Sequence, residues 1–297
     1  MQRPIATIVF SSAVVLCACT SKEAARPDSA RVAQAGAAGA STAASFDPAT
    51  HVASVIAKDF AFVAPDSITA GWTTFRMKNE GTLPHHVGIA RVDSGKTIAD
   101  IEAALKNANS SPPWFLVVGG PNASEPGAES NATLNLEPGQ YVMLCFVDIP
   151  AHVPHFTKGM IHPFVVTAAN GSTGTEPTAD ATIALADYSF TVDGKLTAGK
   201  HTIRVVNKGP QEHEVVLVRL APGKTMKDLA AWAVTMEGEG PGSAIGGVVG
   251  FSKRAGPNYF DVDLTSGNYV MLCFLTDDKD GKPHIEHGMV KEFKVEG

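Results

Sequence analysis

The chain has 297 residues and a formal net charge of −6, with its acidic and basic side chains interspersed. Because no run of lysine or arginine is present, there is no electrostatic footprint for nucleic acid or for anionic lipid. Nucleic acid is therefore excluded as a partner. A chain of this length is sufficient for about two domains, each with a core of its own.

The first eighteen residues are predicted to be an export signal, because an apolar run too short for a membrane span follows Arg3, their only charge. Leu16-Cys17-Ala18-Cys19 resembles the lipobox of bacterial lipoproteins, in which the last cysteine becomes lipidated. This resemblance implies that Cys19 is a lipid anchor and that the protein is attached to a membrane of the cell envelope. The alternative is an ordinary signal peptide whose cysteines carry no lipid.

The remainder is predicted to comprise a tether and two domains. Residues 19–50 are rich in Ala, Ser, Gly and Pro without a hydrophobic period, which predicts a disordered tether. The two domains, 51–168 and 180–297, are predicted by an internal repeat at an offset of 128 residues, in which Asp59-Phe60-Ala61-Phe62 aligns with Asp187-Tyr188-Ser189-Phe190. The low-complexity stretch 169–179 is predicted to be the linker between them.

Each half reads as a series of short strands interrupted by one helix. Alternating patterns predict strands at 73–78, 87–92 and 163–167 in the first half, and at 201–206, 215–220 and 292–295 in the second. The helices are predicted to begin at Thr97 and Thr225, each with a Thr-x-x-Asp that resembles a capping box. The glycine-rich region 238–250 is predicted to be a loop. The fold class is therefore all-β, with two tandem sandwiches that each carry a short helical insertion.

Each half contains one set of soft and borderline metal donors. The strand Gly-x-Tyr-Val-Met-Leu-Cys-Phe ends in Cys145 in the first half and in Cys273 in the second. A histidine and a methionine follow each cysteine in the next loop, and a further histidine lies upstream, after an Asn-x-Gly turn. A thiolate, two imidazoles and a weak thioether are the donors of a type 1 copper site. The candidate ligands are His85, Cys145, His155 and Met160, and then His213, Cys273, His284 and Met289.

These motifs resemble the cupredoxins, the blue copper proteins of the plastocyanin and azurin type. The resemblance depends on Pro84-His85-His86-Val87, on the Gly-x-Tyr-x-x-x-Cys strand, and on the spacing from His155 to Met160 and from His284 to Met289. It implies a Greek-key sandwich in each half, with one copper ion held strongly by the cysteine and two histidines and weakly by the methionine. It further implies single-electron transfer, without enzymatic activity, to a redox or copper-handling protein partner.

The long loops after the cysteines depart from that family. Nine residues separate Cys145 from His155 and ten separate Cys273 from His284, so His152 and His287 are alternative ligands. Copper capture or delivery in the envelope, and a metal-free binding module, remain open as other functions. Catalytic copper of the multicopper oxidase or nitrite reductase kind is not expected, because a leucine precedes each cysteine where those enzymes have a histidine. The remaining histidines, His51, His162 and His201, are expected to be exposed polar residues.

Overall fold

A computed structural model of the protein describes residues 44–105, 111–149, 153–235 and 238–297. The predicted signal peptide, Cys19, most of the predicted tether and His152 lie outside these residues. Ser41–Gly297 forms one compact unit. Among the described residues, none of the helices has the length and apolar character needed to cross a membrane.

The described chain is mostly strand. Its strands are β1 (Ser45–Asp47), β2 (Val52–Lys58), β3 (Ala61–Val63), β4 (Ser67–Thr69), β5 (Gly71–Asn79), β6 (Gly88–Val92), β7 (Phe115–Gly119), β8 (Glu129–Leu136), β9 (Gly139–Leu144), β10 (Asp148–Ile149), β11 (Val153–Pro154), β12 (Ile161–Thr167), β13 (Ala181–Ala186), β14 (Ser189–Asp193), β15 (Gly199–Asn207), β16 (His213–Leu220), β17 (Gly242–Phe251), β18 (Asn258–Leu264), β19 (Gly267–Leu272) and β20 (Val290–Val295). The two α-helices among these residues are α1 (Ile98–Leu105) and α2 (Met226–Thr235).

Two large sheets run through both halves of the described chain. The first has the order β1-β2-β5-β8-β18-β15-β13-β14, with β3 paired to β2. The second has the order β20-β19-β16-β17-β7-β6-β9-β12-β4. Each half therefore contributes a run of neighbouring strands to each sheet. Between the two sheets, each half encloses an apolar core of its own. The prediction of an all-β fold with two tandem sandwiches, each carrying one short helix, is confirmed.

Alternation along the strands accounts for the sandwich. In β5, the residues that point inward include Phe75 and Met77, which are fully buried, while Arg76 between them is exposed. The aromatic residue of β9, Tyr141, stacks on Phe164 of the neighbouring β12 with ring centroids 5.5 Å apart. Burying one face of each strand in this way supplies most of the driving force for the sandwich.

The helices begin where the sequence predicts. The Thr97 hydroxyl accepts the backbone N–H of Asp100 at 3.2 Å, and the Asp100 carboxylate accepts the backbone N–H of Thr97 at 2.8 Å. Thr225 and Asp228 make the same reciprocal bonds at the start of α2. These are capping boxes in which the shorter Asp replaces Glu. Each helix covers the outer face of the second sheet through one buried residue, Ile101 or Leu229.

The two halves are joined edge to edge in both sheets. In the first sheet, β8 pairs with β18 through Thr133 and Tyr259. In the second, β7 pairs with β17, and the Val249 N–H donates to the Gly120 carbonyl at 3.0 Å. The two halves are consequently joined by strand pairing and not only by the segment that connects them in sequence.

Two expectations were wrong. The glycine-rich region 238–250 is mostly strand, since β17 occupies Gly242–Phe251. Gly247 has a φ of 116°, and a Cβ there would lie 1.9 Å from the Val215 carbonyl oxygen, so glycine is needed where β17 bulges against β16. His51 is 2 % exposed rather than exposed, and its Nε2 lies 2.6 Å from the Ser172 carbonyl. Ser45–Asp47, at the end of the predicted tether, forms β1 and pairs with β2.

Candidate metal centre

Three side chains of the first half converge on one buried point. His85 follows the turn after β5, Cys145 comes directly after β9, and His155 begins a short 3-10 turn after β11. All three are at most 1 % exposed. The loop between Cys145 and His155 is closed at its base, because the His155 N–H donates to the Val147 carbonyl at 2.9 Å. The length of the loop therefore does not carry His155 away from the cysteine.

The three donor atoms form a compact triangle. Nδ1 of His85 lies 3.1 Å from Nδ1 of His155, and Sγ of Cys145 lies 3.9 Å and 3.5 Å from these two nitrogens. The point equidistant from three atoms with these separations is about 2.0 Å from each, within the range of roughly 2.0–2.3 Å at which imidazole nitrogen and thiolate sulfur bind a metal ion. The triangle thus fits one metal ion with trigonal ligation.

Asp59 fixes the orientation of His85. Nε2 of His85 lies 3.0 Å from Oδ1 of Asp59, and the Thr82 hydroxyl donates to Oδ2 at 2.6 Å. The Thr82 hydroxyl first, and then His85, lower the pKa of Asp59 to about 2, so the carboxylate is ionised and accepts the Nε2 proton. Nδ1 then keeps its lone pair and faces the centre of the triangle, as a metal-binding imidazole requires.

His155 lies beneath an aromatic ring. Phe60 meets it edge-on, with ring centroids 5.2 Å apart. Phe60 is one of the few non-glycine residues with a positive φ, 62°, a strained conformation for a bulky side chain. Nε2 of His155 is buried without a hydrogen-bond partner, and burial lowers the pKa of His155 to about 4. The imidazole is therefore neutral near pH 7, with a lone pair available to a metal.

The second half repeats the arrangement. Nδ1 of His213 lies 3.2 Å from Nδ1 of His284, and Sγ of Cys273 lies 3.3 Å from the latter. His213, Cys273 and His284 are fully buried, and all their donor atoms lie within 4.8 Å of one another. Nε2 of His213 lies 2.8 Å from Oδ1 of Asp187, the repeat counterpart of Asp59. Both halves thus hold a buried His-Cys-His group that resembles a type 1 copper site.

The two predicted methionine ligands are placed next to these groups by the backbone. Met160 and Met289 are fully buried, and each belongs to the same core cluster as the cysteine of its half. The N–H of Cys145 donates to the Met160 carbonyl at 3.3 Å, and Cys273 makes the same bond to Met289. Gly159 and Gly288 precede the methionines with φ values of 100° and 87°, which turn the chain back towards the cysteine.

The residue after the first histidine supports the cysteine strand in each half. Nε2 of His86 accepts the N–H of Phe146 at 2.7 Å, and Oε1 of Glu214 accepts the N–H of Phe274 at 2.9 Å. His86 and Glu214 occupy equivalent positions in the two halves, at the repeat offset of 128 residues. Both side chains accept the N–H of the residue after the cysteine and so fix its position. In the first half the acceptor is an imidazole nitrogen, and in the second it is a carboxylate oxygen.

Both thiols are deeply buried and are free cysteines. Burial raises the pKa of Cys145 to about 12, and burial together with the charge on Glu214 raises the pKa of Cys273 further. A thiol must lose its proton to bind a metal, so metal binding at these sites releases protons and tightens as the pH rises.

His287, the predicted alternative to His284, does not belong to the donor group that contains Cys273. Its Nε2 is 3.1 Å from Oδ1 of Asp280, and it forms a further group of potential donors with Asp277 and Asp280. The oxygens in this group already accept loop N–H groups, since Oδ1 of Asp277 takes those of Lys279 and Asp280. The group shapes the loop between Cys273 and His284.

The two orienting aspartates, Asp59 and Asp187, were missed as functional residues. A signal was present, because both lie in the aligned segments Asp59-Phe60-Ala61-Phe62 and Asp187-Tyr188-Ser189-Phe190. Sequence separation hides their role, since Asp59 and His85 come together only when the turn between β2 and β3 folds over the loop before β6.

Comparison with known proteins found likenesses among solved structures alone. No protein-family model matches the chain, and no curated protein matches it. An auracyanin from Roseiflexus castenholzii is 23 % identical, covering 40 % of this chain and 98 % of its own, with a TM-score of 0.27. Auracyanin A from Chloroflexus aurantiacus, described as a "blue" copper protein, is 17 % identical over 39 % and 98 % of the two chains, with a TM-score of 0.28. A blue copper oxidase from Nitrosomonas europaea is 16 % identical over 82 % and 84 %, with a TM-score of 0.25.

Proposed function

We propose that the protein is a two-domain cupredoxin that holds one copper ion in each half and transfers single electrons. The observation that carries this proposal is the convergence of a buried thiol and two imidazole nitrogens twice in one chain. In the first half, the point equidistant from these three atoms lies at metal-binding distance from each. A copper ion bound there supplies a one-electron couple between Cu(II) and Cu(I). His85, Cys145, His155 and Met160 would hold the first ion, and His213, Cys273, His284 and Met289 the second.

The surroundings support a carrier rather than an enzyme. All six strong donors are at most 1 % exposed, which leaves a substrate no access to an open ligand position. Asp59 and Asp187 keep the upstream histidines in one orientation, so the ligands change little when the charge of the ion changes. Ligands that are held rigidly and are buried from solvent suit the exchange of electrons with a protein partner.

Adding Cu(II) to the purified protein tests the proposal. A type 1 site gives an intense blue absorption and a narrow copper hyperfine splitting, and two such sites should take up about two copper ions per chain. Cys145→Ser and Cys273→Ser should each remove one of the two, and the double variant should remove both. A double variant that still turns blue would show that these thiols are not the ligands.

The other functions give different results in the same experiment. A colourless protein that retains Cu(I) would indicate capture or delivery of copper. A protein that retains no metal, with both cysteine variants indistinguishable from the parent, would indicate a binding module without metal. Buried, preformed donor sets favour electron transfer over delivery, because delivery requires ligands that a partner can reach.

We further propose that Cys19 anchors the protein in the cell envelope, which the lipobox resemblance supports. Cys19→Ala should release the protein from membranes in a fractionation experiment, because the lipid has no other attachment point in this proposal. Cys17→Ala is the matched control and should leave the protein in the membrane fraction. Equal membrane association of both variants would refute the anchor.

A further inference from the structure

Among the differences between the two candidate copper sites, three positions change together. Phe60, Leu83 and Ile149 of the first half are replaced by Tyr188, Gln211 and Asp277 in the second, each at the repeat offset of 128 residues. The backbone confirms the third pairing, because His155 bonds to the Val147 carbonyl and His284 to the Leu275 carbonyl, two residues before Ile149 and Asp277. Three apolar side chains have thus become one polar cluster.

Asp277 is the centre of that cluster. The residue is 1 % exposed, and its Oδ2 accepts the Tyr188 hydroxyl and, at 2.8 Å, the Gln211 amide. Oδ1 accepts the N–H groups of Lys279 and Asp280. Four donors therefore surround the carboxylate, and hydrogen bonds of this kind favour its ionised form.

This carboxylate faces a proposed copper ligand. Oδ2 of Asp277 lies 3.8 Å from Nε2 of His284, the nitrogen on the far side of the ring from the metal. The corresponding nitrogen of His155, like that of His284, has no hydrogen-bond partner. The edge of the Phe60 ring meets the His155 ring, and the position equivalent to Asp277 is the apolar Ile149. The upstream histidines differ less, since Asp59 and Asp187 are equivalent.

A buried negative charge next to a ligand changes the balance between the oxidation states of the metal. It makes the imidazole a stronger donor and stabilises the ion with the higher charge, Cu(II), relative to Cu(I). Charge of this kind is screened little by salt, because the group is buried. A copper ion in the second site would consequently favour Cu(II) more than a copper ion in the first.

The segment 122–124 connects the two sites through hydrogen bonds. The His85 N–H donates to the Ser124 carbonyl at 3.3 Å, and two residues earlier the buried Asn122 amide donates to the Val215 carbonyl at 3.0 Å. Val215 in turn lies two residues after His213. A short covalent and hydrogen-bonded path therefore runs from one upstream ligand to the other.

Building on the proposed copper function, we propose that Asp277 is a positioning residue that gives the second site the lower reduction potential, so that electrons pass within the chain from the second site to the first. In this step one electron leaves Cu(I) at the second site, which becomes Cu(II), and reduces Cu(II) to Cu(I) at the first. The step transfers one electron and involves no proton.

Redox titration of the two single-site proteins, followed by the blue absorption, tests this inference. Cys145→Ser leaves the second site and Cys273→Ser leaves the first. The second site should have the lower potential by at least a tenfold preference of the electron for the first site, which is about 59 mV for a one-electron couple. Equal potentials, or a lower potential in the first site, would overturn the inference.

Variants of the second site then identify the cause. In the Cys145→Ser background, Asp277→Asn should raise the potential, whereas Asp278→Asn, which removes the same charge from an exposed neighbour, should change it much less. Tyr188→Phe installs the counterpart residue of the first half and should lower the potential, because Asp277 loses a donor and presents more charge to His284. If the Asp277→Asn variant does not fold, Tyr188→Phe still tests the role of Asp277.

The outcomes separate the two proposals. Single-site proteins that bind no copper would refute the proposed function itself. Two blue sites whose potentials do not respond to Asp277→Asn or to Tyr188→Phe would refute only the role of Asp277.

Discussion

Glu214 and His86 occupy equivalent positions in the two halves and make stability depend on pH in opposite directions. Each is buried and accepts the N–H of the residue after the cysteine. Burial raises the pKa of Glu214 to about 7 and lowers that of His86 to about 3, because in each case the charged form is disfavoured. The same hydrogen bond is therefore accepted by two groups with opposite pKa shifts. In the folded protein Glu214 binds a proton more tightly than an ordinary glutamate does, and His86 binds one more weakly than an ordinary histidine does.

Glu214→Gln should stabilise the metal-free protein increasingly as the pH rises. Between about pH 4.5, the pKa of an ordinary glutamate, and about 7, the folded protein retains a proton on Glu214 that the unfolded chain has released. Stability of the parent protein therefore falls through this window, and the variant escapes the loss, by an amount of order 3 kcal/mol. Urea unfolding at a series of pH values measures the difference.

His86→Gln is the matched control for that experiment. Between about pH 3 and 6.5 the unfolded chain binds a proton at His86 that the folded protein does not, so parent stability falls as the pH falls. The gain of His86→Gln over the parent should thus grow towards low pH, the opposite direction to Glu214→Gln. Identical pH trends for the two variants would contradict the assignment of the two pKa shifts.

At the residue scale, the sequence was informative about donors and silent about their supports. Repetition of Cys145 and Cys273 with histidines at matching positions was enough to select the residues that converge. The role of Asp59 could not be predicted in the same way, because a carboxylate in a hairpin turn is common and its contact with His85 is a tertiary one. The cluster around Asp277 was hidden because repeat alignment emphasises what the halves share.

Among the elements, β17 shows why glycine composition misled the prediction. Gly246 and Gly247 both have positive φ values, 122° and 116°, which usually indicate a loop. Here they form a bulge within a strand, at which β17 shifts register against β16 close to Val215. Sequence alone does not distinguish a glycine required for a turn from one required for close approach of two strands.

Gly247→Ala and Gly246→Ala should separate these two requirements. A Cβ at Gly247 would meet the Val215 carbonyl oxygen at 1.9 Å, whereas one at Gly246 has no atom within 4 Å. Gly246→Ala should cost about 1–3 kcal/mol for its backbone conformation alone, and Gly247→Ala should cost at least a further 1–3 kcal/mol for the clash. Urea unfolding gives both values, and equal losses would show that contact with Val215 is unimportant.

On the scale of the whole molecule, the two halves form one structure. The segment predicted as a linker contacts both of them, since the Thr173 carbonyl accepts the Trp72 N–H at 2.7 Å and Glu176 accepts the Tyr259 hydroxyl at 2.5 Å. The repeat predicted two halves correctly from their similarity. It could not predict that their edges pair, because β8 and β18 meet through only a few residues without a distinctive pattern.

Cutting the chain between the halves should leave them together. A protease site introduced at Gly171, where an added Cβ meets no atom within 4 Å, should be cleavable without damage. The cut protein should elute from a size-exclusion column as a single species of the original size, because strand pairing in both sheets still joins the halves. Separation into two smaller species would show that the linker, and not the sheets, holds them together.

The manner in which the strands meet at this junction bears on the origin of the two unlike sites. Gly120 and Gly247 are equivalent, since each would clash with the carbonyl of the residue two places after the first histidine, Val87 or Val215. Pro121 therefore pairs with its own counterpart, Val248, in an antiparallel bridge.

A contact in which an element meets its own copy is the isologous contact of a twofold-symmetric homodimer. The chain has the architecture of such a dimer with its subunits joined covalently. In a true homodimer every substitution appears in both subunits, so both metal sites must remain the same. Two halves of one chain are free of that constraint, so Asp277 lies beside His284 while the equivalent position in the first half is Ile149.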